Sequence, residues 1–106
     1  MTVVELLTKA REIQAARGLA KDTAEDDNRC VCPIGALKIA GGCDPHAFSA
    51  WLDMPGMRPA IEAFQDANGI SGWGIPDWVD DETRTAAEVD DAFAKAIALA
   101  SAEAKS

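Results

Sequence analysis

Two capping boxes, one near each end of the chain, constrain the fold more than any other feature of the sequence. A capping box pairs Ser or Thr with Glu three residues later, so that each side chain satisfies the other residue's free backbone N–H. The pairs here are Thr2 with Glu5 and Thr85 with Glu88. Apolar residues follow both boxes at three- and four-residue steps, which predicts an amphipathic helix at each end of the chain.

Proline and glycine signals place three more helices between these two. Proline suits a first helical turn, where its missing N–H costs nothing, and Gly or Asn suits the residue after a helix end. The period-two pattern of a β-strand is missing, and the 21 alanines favour helices that approach closely. The sequence predicts one all-α domain over residues 1–106, with helices from about Val3 to Gly18, Pro33 to Gly41, Pro45 to Pro55, about Arg58 to Asn68, and Thr85 to about Ser101.

Two of the predicted connections differ in character. The run from Lys21 to Arg29 is polar and highly charged, which predicts a solvated loop. The segment from Ile70 to Thr83 carries Trp73 and Trp78 among glycines and a proline, and two tryptophans offer too much apolar area to leave in water. We expect this second loop to be ordered, either as a lid on a small core or as an anchor for a partner.

The charge balance excludes several classes of function. Eighteen acidic residues against ten basic ones give a net charge of −8, so the chain lacks the excess of Lys and Arg that binds nucleic acid phosphates or anionic membranes. Charges interrupt the segment from Met1 to Arg17, which does not resemble a secretory signal. Three cysteines without such a signal indicate reduced thiols, and we expect a cytoplasmic protein.

Three cysteines and the one histidine form a candidate metal site. Cys30, Cys32, Cys43 and His46 supply the ligand types of a closed tetrahedral zinc site within a short stretch of chain. The alternative is that the thiols are small buried side chains, which is the common state of a free cysteine. A third hypothesis is a reactive Cys32 whose pKa is lowered by the start of the second helix, with His46 as its base.

Excess negative charge gathers around the start of the last helix, close to two tryptophans. Eight acidic and three basic residues lie from Asp77 to the end of the chain. Acids before and within a first helical turn interact favourably with the helix N-terminus, and Arg84 is placed to pair with Asp80. The candidate partner-binding residues are Trp73, Trp78, Asp80, Asp81 and Arg84.

Two segments resemble a known family. Residues 32–37 read Cys-Pro-Ile-Gly-Ala-Leu, and residues 78–89 read Trp-Val-Asp-Asp-Glu-Thr-Arg-Thr-Ala-Ala-Glu-Val. Both are similar to motifs of a family of small proteins of unknown function that is common in actinomycetes and their phages. The chain departs from that pattern at Val79, where the family has Asn. The resemblance implies a helical fold and an actinobacterial or phage source, and it transfers no catalytic residue.

We therefore predict a non-enzymatic accessory or binding protein that contacts a protein partner through the acidic residues and tryptophans before the last helix. Direct binding to nucleic acid or membrane is not expected, nor is a cofactor. One alternative is a zinc-stabilised module, and another is an acidic surface that mimics nucleic acid and so occupies a DNA-binding protein.

Overall fold

A computed structural model of the protein describes residues 2–21, 23–46, 51–72 and 74–104. Within these ranges the regular structure is helical, and the β-structure consists of two isolated bridges. The predicted all-α class is confirmed. The α-helices are α1 Val3–Arg17, α2 Pro33–Ala40, α3 Met57–Ala67, α4 Ile75–Asp80 and α5 Ala86–Ala104, and a 3-10 turn spans Trp51–Asp53.

Both predicted capping boxes are present. The Thr2 hydroxyl accepts the Glu5 N–H at 3.1 Å, and the Glu5 carboxylate accepts the Thr2 N–H at 3.3 Å. At the start of α5, the Thr85 hydroxyl accepts the Glu88 N–H at 3.2 Å and the Glu88 carboxylate accepts the Thr85 N–H at 3.1 Å. Helix α1 ends as predicted at Gly18, whose φ of 88° lies in the left-handed region that favours glycine.

The three longest helices pack side by side. Residues near the start of α1 and the end of α5 line one surface groove, and Arg11 of α1 binds Asp90 near the start of α5, so these helices run antiparallel. The Asn68 amide at the end of α3 donates to the carbonyl of Ala92 at 3.1 Å, which ties α3 to the first half of α5. Helix α1 and helix α3 therefore both run opposite to α5.

The core combines a few large side chains with many alanines. Phe64 and Phe93 are fully buried with ring centroids 5.0 Å apart, and Leu6, Leu7 and Leu37 are buried with them. Six alanines on α1, α2, α3 and α5 are exposed by 2% or less, so the helix axes approach closely. Over the described residues, the helices are too short or too polar to cross a membrane. The six helical alanines exposed by 2% or less are Ala10, Ala36, Ala40, Ala60, Ala92 and Ala96.

Helix α2 is largely buried and packs mainly on α1, and the loop before it lies directly on its first turn. A methyl group added to Gly35 would overlap the carbonyl oxygen of Ala24, so only glycine allows this approach. Further backbone bonds join Cys32 N–H to Ala24 C=O at 3.2 Å and Ala20 N–H to Val31 C=O at 3.0 Å. Residues 23–26 are therefore packed and half-buried, which corrects the prediction of a solvated loop there, whereas Asp27, Asn28 and Arg29 are exposed as predicted.

The third predicted helix, from Pro45 to Pro55, is wrong at its start. Pro45 and His46 lie in a turn, and residues 47–50, including Phe48, lie outside the described residues. The Asp44 carboxylate accepts the His46 N–H at 2.8 Å, two residues on, which closes an Asx turn. The next regular structure in the described part of the chain is the 3-10 turn that begins at Trp51.

The segment from Ile70 to Thr83 contains a helix that the sequence reasoning did not predict. Helix α4 occupies Ile75–Asp80, and Pro76 stands in its first turn. Ile75 and Val79, one turn apart, are buried and hold the helix on the core. The preceding loop is fixed to α3 by the buried Gln65 amide, which donates to the carbonyl of Gly72. The centre of the segment is therefore a helix that packs on the core.

Replacing Gly35 with alanine should destabilise the fold despite the better helix propensity of alanine. Propensity alone would stabilise α2 by about 1 kcal/mol, whereas the overlap with the Ala24 carbonyl should cost about 2 kcal/mol or more, because backbone must move. Urea unfolding would measure the net loss. The matched control is Gly41→Ala, whose added methyl meets only the flexible ends of Met54 and Met57. Equal stability of both variants would contradict a close contact between Gly35 and the Ala24 carbonyl.

The ion pair between Arg11 and Asp90 should make stability depend on pH in the acid range. Two N–H···O contacts of 2.9 Å hold the pKa of Asp90 below its ordinary value of 3.8. A lowered folded-state pKa gives stability that is present above about pH 4 and is lost as the pH falls through the folded pKa.

Unfolding free energies measured from about pH 6 to about pH 2 should therefore fall less steeply for Asp90→Asn than for the unchanged protein. Arg11→Ala removes the same contact from the other side, and the double variant should behave like either single one. Parallel pH curves for all four proteins would refute this coupling.

Candidate functional site

Trp78 and Arg84 form the centre of the candidate site. The Arg84 guanidinium lies 4.0 Å from the Trp78 ring centroid, within the range of a cation–π contact. Its Nε–H donates to the Trp78 carbonyl at 3.0 Å, and its NH1 group lies 3.2 Å from the Glu88 carboxylate. These contacts join the end of α4 to the start of α5. The ring meets Phe64 of the core edge-on at 5.7 Å, so Trp78 is half-buried.

The acidic corner is the surface formed by α4, the turn 81–85 and the first turn of α5. Asp77, Asp81 and Glu82 are exposed there, and Asp80 is half-buried. The N–H and hydroxyl of Thr83 both donate to the Asp81 carboxylate and lower its pKa. Three of the predicted site residues, Asp80, Asp81 and Arg84, thus lie on one surface with Trp78. Trp73, the fifth, lies outside the described residues.

A polar groove of about 560 Å³ adjoins the acidic corner on the α5 side. Its charges are mixed, because Arg84 pairs with Glu88 and Lys95 pairs with Asp91 at 3.1 Å. The groove is open to solvent along α5. Its lining consists of Ala67, Asn68, Trp78, Arg84, Ala87, Glu88, Asp91 and Lys95.

An apolar pocket of about 290 Å³ adjoins the acidic corner on the other side of α4. Three segments form it: the loop before α2, the first turn of α2, and α4. Lys21 joins the loop to the residue after α4, because its ammonium group donates to the Asp81 carbonyl at 2.6 Å. The pocket is lined by Thr23, Ala24, Cys32, Ile34, Pro76, Val79 and Asp80.

The thiol of Cys32 is the N-cap of α2. It accepts the Gly35 N–H at 3.4 Å, a weak cap compared with a hydroxyl. Burial raises the pKa of this thiol and outweighs the lowering by the Gly35 and Ile34 N–H groups. The hypothesis of a reactive Cys32 with a lowered pKa is therefore wrong in its central premise, because desolvation exceeds the effect of the helix start.

The four predicted zinc ligands have separate surroundings. Cys43 directs its sulfur at the Met54 sulfur 2.9 Å away, and His46 Nε2 lies 3.8 Å from the Glu25 carboxylate. Cys30 and Cys32 flank the buried Val31 in the loop that enters α2. In the described part of the chain, which includes all four, groups of three or more His, Cys, Asp or Glu side chains in metal-binding range are not found.

Lys38 is a buried charge that the sequence reasoning did not single out. It is 8% exposed within α2, its ammonium lies 4.6 Å from the Trp51 ring centroid, and burial lowers its pKa. The sequence does contain a signal for this buried charge, because Lys38 lies inside an otherwise apolar helix. The contact fixes Trp51 at the surface of the core, where the ring is half-buried.

Removal of the Arg84 side chain should loosen the acidic corner. Arg84→Ala loses the cation–π contact and the bond to the Trp78 carbonyl, and we expect a destabilisation of about 1–2 kcal/mol with changed tryptophan fluorescence. Chemical denaturation followed by fluorescence measures both. Arg58→Ala is the matched control, because Arg58 is 54% exposed and its carboxylate partner is 3.7 Å away. An Arg84→Ala protein as stable as this control would refute the bridging role.

Comparison with known proteins adds a family and nothing more specific. No curated protein and no solved structure gives a significant match to the chain. Residues 1–99, which are nearly the whole chain, match the model of a family of unknown function. This match confirms the resemblance to such a family. The protein belongs to the Family of unknown function (DUF6197).

Proposed function

We propose that this protein is a non-enzymatic binding protein whose acidic corner docks on a basic surface of another protein. One observation carries the proposal: helix α4 stands between two surface concavities, the apolar pocket and the polar groove, and presents exposed carboxylates between them. Concave surface with apolar and polar parts is the usual form of a binding site.

The charge of the corner defines the chemistry of the partner. Asp77, Asp81 and Glu82 are exposed within six residues of chain, in a protein whose net charge is −8. Electrostatic complementarity accelerates encounter with a positively charged surface and disfavours a second copy of the same chain. The partner is therefore a different protein with exposed Lys or Arg.

The arrangement of the acids favours a local docking site over mimicry of nucleic acid. A mimic needs a long array of carboxylates, whereas Glu88, Asp90 and Asp91 form ion pairs with Arg84, Arg11 and Lys95 of the same chain. Those ion pairs reduce the negative electrostatic potential along α5. The charge available to a partner is concentrated at α4 and the turn that follows it.

One further observation supports a binding protein over an enzyme, and another supports a cytoplasmic location. The pKa of the pocket thiol, Cys32, is raised, which disfavours the thiolate that a nucleophile requires. All three cysteines are free, as befits a reducing compartment.

Charge reversal on α4 tests the proposal. The variant Asp77→Lys, Glu82→Lys should lose its partner in affinity capture from the source organism, whereas Glu12→Lys, Glu62→Lys should retain it. All four residues are exposed, and both variants change the net charge equally. Binding of the purified partner should weaken by tenfold or more between about 50 and 200 mM salt, as expected for contacts among several charges.

The result that would overturn the proposal is equal recovery of the same proteins by both variants. Circular dichroism and urea unfolding of each variant should first match those of the unchanged protein, so that loss of binding is not loss of fold. A partner that binds without salt dependence would also exclude the acidic corner as its docking surface.

A further inference from the structure

We propose that the apolar pocket beside α4 receives one apolar side chain of the partner, flanked in the partner's sequence by Lys or Arg. This inference rests on the proposed function and names the chemistry of the segment that binds. The pocket is the concavity of about 290 Å³ between the loop before α2, the first turn of α2, and α4.

The lining of the pocket fits a hydrocarbon group. Ala24, Ile34, Pro76 and Val79 supply most of its wall. The Cys32 thiol also lines the pocket. Burial raises the pKa of this thiol, so it is uncharged at neutral pH. An aliphatic side chain that enters loses contact with water and gains about 25 cal/mol for each Å² of apolar surface buried.

The acids of α4 lie next to the pocket and define what surrounds the anchor. Pro76 and Val79 line the pocket, while Asp77 is exposed on the same helix and Asp81 is exposed just after its end. A segment that places an apolar side chain in the pocket therefore has carboxylates within reach of its neighbouring residues. Lys or Arg at those neighbouring positions complement this surface.

The pocket is formed before any partner binds. The loop wall is fixed by the bond from Cys32 N–H to Ala24 C=O and by its close contact with Gly35. The α4 wall is joined to the loop by Lys21, which donates to the Asp81 carbonyl at 2.6 Å. A preformed pocket costs little ordering on binding, which favours an anchor residue at this position.

Labelled model peptides test the inference without knowledge of the natural partner. The probe is Lys-Arg-Lys-Leu-Lys-Arg-Lys, and the matched peptides carry Ala or Phe in place of the central Leu. Fluorescence anisotropy at about 50 mM salt measures their affinities for the full chain. The leucine peptide should bind about tenfold more tightly than the alanine peptide, which corresponds to about 1.4 kcal/mol of apolar burial.

Two variants distinguish the contribution of the pocket to peptide binding from that of the surface charges. Ala24→Leu should fill the pocket and abolish the preference for leucine over alanine while leaving the alanine peptide's affinity unchanged. Ala87→Leu adds the same side chain in the polar groove on the other side of α4 and should keep the preference. Ile34→Ser provides a second pocket variant at a half-buried position, in case Ala24→Leu does not fold.

Equal affinities of the three peptides for the unchanged protein would overturn the anchor inference. If Asp77→Lys, Glu82→Lys still weakened all three peptides in that case, the proposed docking surface would stand without the pocket. If the charge variant also had no effect, both proposals would fail. A leucine preference that survives Ala24→Leu and Ile34→Ser would place the apolar contact elsewhere and overturn the inference as well.

Discussion

The contact between the loop before α2 and the first turn of α2 fixes one wall of the apolar pocket beside the acidic corner. Gly35 allows the Ala24 carbonyl to lie against the helix, and this places the loop where Lys21 can reach the end of α4. The apolar pocket exists because these three segments meet without filling the space between them. A single missing Cβ thus determines both a packing contact and the shape of the neighbouring surface.

Local signals in the sequence predict most of the fold correctly. The caps at Thr2 and Thr85 and the Pro33 signal place α1, α5 and α2, because hydrogen bonds within a few residues of chain decide where those helices begin. The start of the third predicted helix is wrong for an equally local reason. Asp44 can cap a helix or close an Asx turn with the same carboxylate, and spacing does not distinguish these uses.

The features that sequence reasoning missed depend on contacts between distant segments. Helix α4 is too short to be stable alone, and it forms because Ile75 and Val79 are buried in the core. The raised pKa of Cys32 depends on burial by the loop and α4, and sequence shows only the helix start beside it. The sequence shows that acidic residues gather around the start of α5, but it does not show that Asp90, Glu88 and Asp91 pair with Arg11, Arg84 and Lys95.

Each described tryptophan ring already has a cation on one face, Lys38 on Trp51 and Arg84 on Trp78. A partner that approaches Trp78 therefore cannot stack an aromatic ring or a guanidinium on that covered face. The Arg84 side chain that covers this face is 19% exposed and can itself be contacted by a partner. The residue that looks in sequence like an aromatic anchor thus presents a hydrogen-bond donor, and a backbone carbonyl or carboxylate is the complementary group there.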